Sequence, residues 1–376
     1  MSKGKGKKRS TKKVRTIEQG RIAFLSYLGD MQGCGTIRCI YPYLLLNHFR
    51  TPKIQMFGNY MSEYIWEPNY YKGYTIVQFQ RSATKRHLEL YRHFKSEVQK
   101  ANKIPMVYEI DDMLIGIPEW NYAHEYYVKC EDYIKEMMGM SDAMVTSTYK
   151  LKQIYSQYNK NISVIPNHLP KFMWGETYQK HINQPRIKRP RILWAGSQNH
   201  FADKRLLEKG VRGGDFGPEL IDFIKKTTDK FEWYIMGGWP HELEPVRDKI
   251  HKMPWKNIFE YPSAMKAIDA DICIAPLEDN VFNSAKSNIK QLEFSACGAA
   301  GVYSHVEPYK NSYLTSRSDE EMISYIEDLA VDVDLRGKVW NKDWQLVKDQ
   351  IWWEENNNIR KYINTYLKLF GMKLPK

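Results

Sequence analysis

The feature of this sequence that most constrains its fold is an alternation of short apolar segments with longer amphipathic ones. In the first half, the apolar segments predict strands at 21–28, 53–58, 74–81, 104–112, 143–148 and 162–167. A glycine loop running into a helix is predicted at 29–49, with further helices at 84–102, 123–142 and 149–158. Strands that alternate with helices pair in parallel, so the pattern predicts a doubly wound α/β fold.

The alternation starts again after a polar segment. Residues 176–191 are polar and contain Pro185 and Pro190, which is typical of a linker. Further strands are predicted at 191–197, 231–238, 257–262, 271–276 and 299–304, and helices at 218–230, 286–296, 318–330 and, as one long helix, 338–370. We therefore expect two Rossmann-like domains, at 19–180 and 191–350, joined by a linker at 181–190 and followed by a helical segment at 351–376.

The positive charge of the chain is concentrated at its N-terminus. The net charge is +12, and residues 1–15 carry eight basic side chains and no acidic one. This stretch is rich in Gly, Ser and Lys and cannot form a core, so a disordered basic arm is expected at 1–18. Such an arm is attracted to nucleic acid or to an anionic membrane, and a solubilising tail is the alternative. Contacts to DNA are expected from Lys7, Lys8, Arg9, Lys12 and Lys13.

Membrane proteins, secreted proteins and zinc proteins are not indicated. No apolar run approaches the roughly 18 residues that span a bilayer, and no apolar stretch follows the basic N-terminus as in a secretory signal. The five cysteines are scattered without a C-x-x-C pair, so buried reduced thiols are expected. We therefore expect a cytoplasmic protein with no stable membrane insertion and no bound metal.

Candidate site residues follow the predicted strands, because ligands of open α/β sheets bind beyond the carboxyl ends of the strands. The segment 33-GCGTIR-38 follows the first strand, and Gly33 and Gly35 would let a phosphate approach the backbone. A tight structural turn is the alternative. A nicotinamide dinucleotide is not favoured, because 53-KIQMFG-58 has no acidic residue at its end to bind a ribose hydroxyl.

Two adjacent carboxylates end the strand at 104–112. Asp111 and Asp112 are candidates to orient or deprotonate the hydroxyl of an acceptor, and His124 follows closely enough to reach the same cleft. Capping is the alternative role for the carboxylates, and surface packing is the alternative for His124. These three residues are the predicted catalytic groups.

Glycines and cations follow the first strands of the second half. Gly196 and Ser197 form a turn, and Lys204 and Arg205 come shortly after it, a combination that suits a pyrophosphate. Gly237 ends the next strand and would allow close approach of a base or ribose. A solvated basic loop and an ordinary turn are the alternatives.

One helix of the second half carries a glutamate near its C-terminus. Lys286 and Ser287 lie at the start of this helix, where the backbone amides favour an anion. Glu293 lies towards the other end, where a negative charge opposes the helix dipole. A binding role for Glu293 is therefore favoured over a stabilising one.

These segments together resemble the GT-B glycosyltransferases, and in detail glycosyltransferase family 4 and its phage-encoded relatives. The similarity lies in 33-GCG-35, in the Pro-Asn of 165-IPN-167, in the turn of 192-ILWAGS-197, and in 292-LEFSACGAAGVYS-304, which matches the second half of a Glu-x7-Glu motif. The resemblance implies two Rossmann-like domains facing a cleft, with a C-terminal helix that crosses back onto the first domain.

The resemblance also implies roles for single residues. Glu293 would bind the ribose of a nucleotide-sugar, with Asn283, Lys286 and Ser287 near its sugar or phosphate. One position departs from the family, which has a glutamate near the transferred sugar where this chain has Ala285. No further cofactor is required, because a leaving pyrophosphate can be stabilised electrostatically. A UDP-sugar is the first candidate donor and a GDP-sugar the second.

The predicted function is transfer of a sugar from a nucleotide-sugar to a hydroxyl group. The basic arm and the phage-encoded relatives suggest a hydroxymethylated pyrimidine in DNA as the acceptor, in the cytoplasm of a host cell, and a base in a duplex would have to be flipped out. Envelope lipid or polysaccharide is the alternative acceptor. A non-catalytic nucleic-acid-binding protein is a second alternative, and it predicts no turnover of a donor.

Overall fold

The computed structural model describes residues 15–16, 20–50, 54–175 and 189–375. Within these ranges the chain forms two six-stranded parallel sheets and a small two-stranded one. This confirms the predicted α/β fold with two doubly wound sheets. The predicted linker at 181–190 lies outside the described residues except for Arg189 and Pro190. The predicted arm at 1–18 also lies outside them, apart from Arg15–Thr16, which form a short strand.

The first sheet contains six of the seven strands described in the first half of the chain. The seven strands are β1 (Arg15–Thr16), β2 (Gly20–Tyr27), β3 (Ile54–Met61), β4 (Ile76–Gln80), β5 (Met106–Ile110), β6 (Ala143–Thr146) and β7 (Ile162–Val164). β1 lies outside the sheet, and the other six are ordered β3-β2-β4-β5-β6-β7. The order reverses between β2 and β4, and the carboxyl ends of these two strands therefore border a crevice.

The helices of the first half cover both faces of this sheet. They are α1 (Gly33–Gly35), α2 (Tyr41–Leu46), α3 (Lys85–His93), α4 (Gln99–Asn102), α5 (His124–Val128), α6 (Glu131–Met140), α7 (Tyr149–Tyr155) and α8 (Lys171–Trp174), with a 3₁₀ turn at Pro68–Tyr71. π-helical turns at Thr36–Ile40 and Phe94–Val98 join α1 to α2 and α3 to α4. The helices predicted within 29–49 and at 84–102 are therefore each continuous.

The second sheet contains β8 (Arg191–Gly196), β9 (Glu232–Gly237), β10 (His251–Met253), β11 (Ile272–Ala275), β12 (Ala300–Ser304) and β13 (Thr315–Ser316). Its order is β10-β9-β8-β11-β12-β13, so the reversal falls between β8 and β11. The strand predicted at 257–262 is wrong. Pro262 lies in the first turn of a helix, where its missing N–H costs nothing, and the third strand is His251–Met253 instead.

The helices of the second half are α9 (Lys204–Glu208), α10 (Pro218–Lys226), α11 (Tyr261–Ile268), α12 (Val281–Ser284), α13 (Ile289–Cys297), α14 (Asp319–Val331), α15 (Val333–Val347) and α16 (Asn358–Leu369), with 3₁₀ turns at Gln198–His200 and His241–Lys249. The single helix predicted at 338–370 is wrong, because the chain leaves the helical conformation between α15 and α16. A last strand, β14 (Met372–Lys373), pairs with β1.

The break between α15 and α16 carries the chain back to the first domain. The backbone N–H of Leu169 donates to the Ile351 carbonyl at 2.6 Å, and the N–H of Trp353 donates to the Leu169 carbonyl at 3.0 Å. α16 then packs on the first sheet, where the Tyr366 ring meets Phe24 edge to face with centroids 5.6 Å apart. This confirms the expected crossing of the C-terminal helix.

A buried carboxylate in α15 makes the stability of the fold depend on pH. Asp343 is 2% exposed, and its Oδ1 accepts a hydrogen bond from the N–H of Tyr313 at 2.9 Å. Burial raises its pKa to about 6. The folded state holds this proton more tightly than the unfolded chain does, so stability is lost as the pH rises from about 4 through about 6.

We therefore expect Asp343→Asn to melt at the same temperature as the wild type near pH 4 and at a higher temperature near pH 8, a gain of roughly 2 kcal/mol. Thermal melts across this range test the expectation. The matched control is Asp132→Asn, since the Asp132 side chain is 97% exposed. An equal gain in the control would assign the effect to net charge rather than to burial.

Candidate functional site

The carboxyl ends of the two sheets face each other across a cleft of about 460 Å³. Residues that follow β2, β4 and β5 form its first wall, and residues that follow β8 and β11, together with α13, form its second wall. Both walls include the point where the strand order of their sheet reverses, which is where α/β sheets bind ligands. The predicted site residues that line the cleft are Gly33, Asp111, Asp112, Gly196, Ser197, Lys286, Ser287 and Glu293.

Asp111 and Asp112 lie together on the first wall. Asp111 Oδ1 accepts a hydrogen bond from Arg81 at 3.1 Å, and their side chains are 10% and 13% exposed. Arg81 also donates to the Cys34 sulfur at 3.0 Å, and burial raises the pKa of that thiol, which keeps it protonated. Asp112 accepts from the N–H of Met113 at 2.8 Å. Asp111 is thus held in an ion pair. Among the described residues, the Asp112 carboxylate has only this one hydrogen bond, to its neighbour in the chain.

The two glycines of the predicted loop have different roles. A Cβ on Gly35 would lie 1.9 Å from the Asp30 carbonyl oxygen, and the Gly35 N–H donates to Asp30 Oδ1 at 3.3 Å. Glycine is therefore required at position 35 by the turn itself. A Cβ on Gly33 would meet open space, and Gly33 lines the cleft. Gly35 shapes the loop, and Gly33 leaves its backbone accessible.

On the second wall, an aromatic ring, a carboxylate and an ammonium group follow one another in contact. Trp255 is 43% exposed and stacks on Tyr261, with centroids 6.1 Å apart and planes 23° apart. The Tyr261 hydroxyl donates to Glu293 Oε2 at 3.0 Å, and Lys290 Nζ donates to the same oxygen at 2.8 Å. Burial and the Glu293 carboxylate raise the pKa of Tyr261, so its hydroxyl stays protonated.

The environment of Glu293 indicates which of its atoms can meet a ligand. The residue is 4% exposed yet lines the cleft. Among the described residues, both side-chain hydrogen bonds to its carboxylate go to Oε2, which leaves Oε1 for a ligand. Lys290 is three residues before Glu293 on α13, so the two side chains share one face of the helix.

A histidine on the second wall is oriented by a buried aspartate. His200 Nδ1 lies 2.6 Å from Asp215 Oδ2, and the Asp215 side chain is fully buried. Burial lowers the pKa of His200, and Lys286 lowers it further, so the ring is neutral. The carboxylate is an acceptor and places the ring proton on Nδ1, which leaves Nε2 as an acceptor. Asn283 donates to Asp215 Oδ1 at 2.6 Å and so supports this pair from behind.

A buried chain of hydrogen bonds connects the two walls. Arg38 donates to Glu109 Oε1 at 2.6 Å and to Asn167 Oδ1 at 2.8 Å, and Asn167 Nδ2 lies 2.8 Å from Ser287 Oγ. Burial raises the pKa of Glu109 to about 7, although the neighbouring Arg38 acts in the opposite direction. Ser287 lies two residues before α13, so the helix begins later than the predicted start at 286, and the Pro-Asn segment of the first domain holds Ser287 through this bond.

The position of Ala285 explains why this chain has no glutamate there. Ala285 is fully buried, and with Phe282 it belongs to the hydrophobic core of the first domain. Its carbonyl accepts a hydrogen bond from the Thr148 hydroxyl at 3.0 Å. A carboxylate at position 285 would lie in this apolar contact between the domains rather than in the cleft.

Several predicted site residues lie elsewhere. Lys204 is exposed beside Glu208, and Arg205 pairs with Glu125 at 3.1 Å, so neither lines the cleft. His124 Nδ1 lies 2.7 Å from the Ile117 carbonyl, also away from the cleft wall. Asn283 is fully buried behind the second wall, and Gly237 packs on the backbone of Gly196. The residues expected to contact DNA, Lys7, Lys8, Arg9, Lys12 and Lys13, lie outside the described residues.

Sequence reasoning missed Arg81, Trp255, Tyr261 and Lys290. Lys290 could have been found, because its spacing of three residues from Glu293 predicts a pair on one helix face. Tyr261 was assigned to the wrong strand at 257–262 instead of to α11, and Trp255 lies just before that segment, in a part of the chain with no predicted element. Arg81 could also have been found, because it ends the strand predicted at 74–81; its left-handed backbone, with φ of 50°, becomes visible only in the structure.

Two further observations concern metals and membranes. Within the described ranges, no three His, Cys, Asp or Glu side chains are grouped so that they could hold a metal ion. Across the same part of the chain, no helix combines the length and the apolar character needed to cross a bilayer.

Comparison with known proteins gives structural relatives but no sequence relatives. No protein-family model matches the chain, and no curated protein matches it significantly in sequence. The structure of the lipopolysaccharide outer core galactosyltransferase WaaB is similar over 93% of this chain and 99% of WaaB, with 12% identity and a TM-score of 0.55. WaaG, a glycosyltransferase involved in lipopolysaccharide biosynthesis, is similar over 91% of this chain and 98% of WaaG, with 12% identity and a TM-score of 0.52. The chain therefore has the GT-B fold, in which two Rossmann-like domains face a cleft.

Proposed function

We propose that this protein is a glycosyltransferase that moves a sugar from a nucleotide-sugar donor to a hydroxyl group. The observation that carries the proposal is a group of side chains in contact on the second wall: Trp255 stacks on Tyr261, and the Tyr261 hydroxyl bonds both Glu293 and Lys290. A nucleoside diphosphate presents a flat base, a ribose with two neighbouring hydroxyls and a pyrophosphate, which need the same three kinds of partner. An aromatic face can stack on the base, a carboxylate can accept from the ribose, and an ammonium group can pair with phosphate.

The reaction would take place between the two walls. As the bond between sugar and phosphate breaks, negative charge develops on the leaving nucleotide, and Lys286 and Lys290 lie on the wall that would hold it. Asp112 on the first wall is placed to orient or deprotonate the attacking hydroxyl. Neutral His200 offers Nε2 as an acceptor for a hydroxyl of the donor sugar. The GT-B fold, whose solved examples above are glycosyltransferases, supports this assignment.

The pyrophosphate is assigned to Lys290 rather than to Lys204, which was the candidate from the sequence. Lys290→Ala is expected to weaken UDP binding about tenfold, because a charged hydrogen bond in a cleft is lost. Lys204→Ala is the matched control and is expected to bind UDP like the wild type, since its side chain is 76% exposed and outside the cleft. Titration calorimetry measures both. Equal weakening in the two variants would contradict the assignment.

The activity itself is tested by incubating the protein with UDP- and GDP-sugars and measuring released nucleotide. Wild-type protein is expected to release nucleotide slowly with water as the acceptor, and Asp112→Asn is expected to lower that rate by about 100-fold while UDP affinity is unchanged. If the protein binds UDP but releases no nucleotide from donor sugars, with or without an added acceptor, it is a nucleotide-binding protein and not a transferase. Absence of UDP and GDP binding would contradict the donor site as well.

The acceptor has two candidates. The basic residues at 1–15 favour DNA, with a hydroxymethylated pyrimidine as the accepting group. WaaB is a lipopolysaccharide outer core galactosyltransferase and WaaG is involved in lipopolysaccharide biosynthesis, which favours an envelope glycan. Mass spectrometry of hydroxymethylated DNA and of plain DNA after incubation separates the two, because only the DNA candidate predicts an added sugar mass. Loss of DNA binding on deletion of residues 1–15 would support the same candidate.

A further inference from the structure

A second cavity of about 730 Å³ opens beside the cleft. It lies between the segment 122–129 of the first domain and the start of α9 in the second domain. Its lining includes three tyrosines, Tyr122, Tyr126 and Tyr127, and four charged side chains described below. The proposed transferase reaction does not use this cavity.

The cavity is an extension of the cleft, because Tyr126 and Tyr127 line both. Their rings meet edge to face, with centroids 5.0 Å apart and planes 79° apart. A molecule whose end lies beside Asp112 in the cleft can therefore continue over Tyr126 towards Tyr122 without leaving a walled surface. The cavity therefore adjoins the part of the cleft that Tyr126 and Tyr127 line.

The tyrosines of the cavity present apolar surface to solvent. Tyr122 is 53% exposed and Tyr126 is 51% exposed. Single exposed aromatic residues are common on protein surfaces, but several that line one concave site indicate a ligand. A tyrosine offers a flat apolar face and a hydroxyl at its edge. This combination matches a sugar ring, which has an apolar C–H face and hydroxyls around its rim.

The charges of the cavity balance. Its lining contains two acidic residues, Glu125 and Asp203, and two basic ones, Lys129 and Arg205. Glu125 accepts from Arg205 at 3.1 Å and from Lys209 at 2.8 Å, so much of this charge is already paired. A paired, neutral lining holds an uncharged polyhydroxyl chain better than a polyanion, which needs unpaired cations along its path.

The charge of the first wall of the cleft also favours an uncharged acceptor. Its charged residues are Asp30, Asp111, Asp112 and Arg81, an excess of acid on the side that receives the acceptor. Phosphates of a nucleic acid would be repelled there, whereas sugar hydroxyls donate well to carboxylates. The basic residues of the cleft lie on the opposite wall, with the proposed donor.

We propose that this tyrosine-lined cavity binds the sugar units next to the accepting one, so that the acceptor is an uncharged oligosaccharide chain. The inference rests on the proposed function and names the substrate class of that site. The distal sugars lie over Tyr126 and Tyr122, and the terminal hydroxyl reaches Asp112.

The cavity also depends on how the two domains meet. The Trp120 indole N–H donates to Glu278 at 2.8 Å, and Asn121 donates to the Asn199 carbonyl at 2.9 Å. These bonds join the segment before Tyr122 to the second domain and hold the two sides of the cavity together. An oligosaccharide that touches both sides therefore depends on this arrangement of the domains.

The test uses the full chain and three probes: UDP, a printed array of oligosaccharides of one to six sugars, and a short DNA duplex. We expect the wild type to bind at least one oligosaccharide about tenfold more tightly than its terminal monosaccharide. Tyr122→Ala, which changes the second cavity alone, is expected to remove this preference while UDP affinity stays the same, and Tyr126→Ala is expected to remove it as well. Tyr149→Ala is the matched control, because Tyr149 is 79% exposed and lies outside both cavities.

The outcomes separate this inference from the proposed function. If UDP binds and the two cavity variants bind oligosaccharides as the wild type does, the cavity has no role and the inference is wrong. Tighter binding of the DNA duplex than of every sugar on the array, or no binding to any sugar, also overturns it. If UDP fails to bind and no nucleotide is released from donor sugars, the proposed function itself fails.

Discussion

Replacement of Glu293 by glutamine is expected to weaken UDP binding by roughly 10- to 100-fold, the range for losing hydrogen bonds to a charged acceptor. The carboxylate is 4% exposed and held by Tyr261 and Lys290 through one oxygen. Glutamine has nearly the same shape and can still accept from Tyr261, so the fold should persist. What it loses is the charge that strengthens hydrogen bonds from the ribose hydroxyls.

In the same variant, the affinity for pyrophosphate is expected to change differently from the affinity for UDP. Without a carboxylate beside it, Lys290 has a more available positive charge, so inorganic pyrophosphate is expected to bind at least as tightly as to the wild type. Titrations of both ligands therefore locate the ribose on Glu293 and the phosphates on Lys290. Glu260→Gln is the matched control, an exposed glutamate outside the cleft whose loss changes the net charge equally. Equal weakening of UDP and pyrophosphate would refute the ribose role.

Introduction of a glutamate at position 285, as in glycosyltransferase family 4, is expected to destabilise the protein strongly rather than to improve it. Ala285 has no exposed surface and packs with Phe282 in the hydrophobic core of the first domain. An unpaired carboxylate in such a place costs several kcal/mol, because it loses its hydration without gaining a partner. Ala285→Glu should therefore lower the melting temperature by about 10 °C or more, or prevent recovery of folded protein.

Val281→Glu is the control for Ala285→Glu, because Val281 begins the short helix α12, which ends just before Ala285, and is 56% exposed. It is expected to melt within about 2 °C of the wild type, as most surface substitutions do. Ala285→Ser separates charge from volume and should cost much less than the glutamate. A stable Ala285→Glu protein with faster sugar transfer would show instead that position 285 can face the cleft.

Most of the fold could be predicted because its signals are local. The strands at the centre of each sheet are continuous apolar runs, and the helices between them show apolar positions spaced by three and four residues. The two errors also have local causes. Pro262 begins a helix although the residues around it have strand-like composition, and the tryptophan-rich tail conceals a break of the helix between Val347 and Asn358.

The candidate site could be predicted only in part. Asp111, Asp112 and Glu293 line the cleft, and the sequence could single them out because Asp111 and Asp112 follow a strand and Glu293 opposes the dipole of its helix. Lys204 and Arg205 had equally suitable chemistry, yet Arg205 pairs with Glu125 beside the cleft. Nothing in the sequence close to position 204 shows that Lys204 and Arg205 lie outside the cleft.

The sequence by itself determined that the chain has two α/β halves and which strand ends carry polar side chains, because periodicity and turns depend on neighbours in the chain. Only the tertiary structure decided which of those ends meet. Asn167 bonds Ser287 across 120 residues, and Thr148 bonds Ala285 across 137. Such contacts depend on how two finished domains dock, and docking is set by the shapes and charges of whole surfaces. For that reason the tertiary structure placed Lys290 and Trp255 in the cleft, and buried Ala285 beneath it.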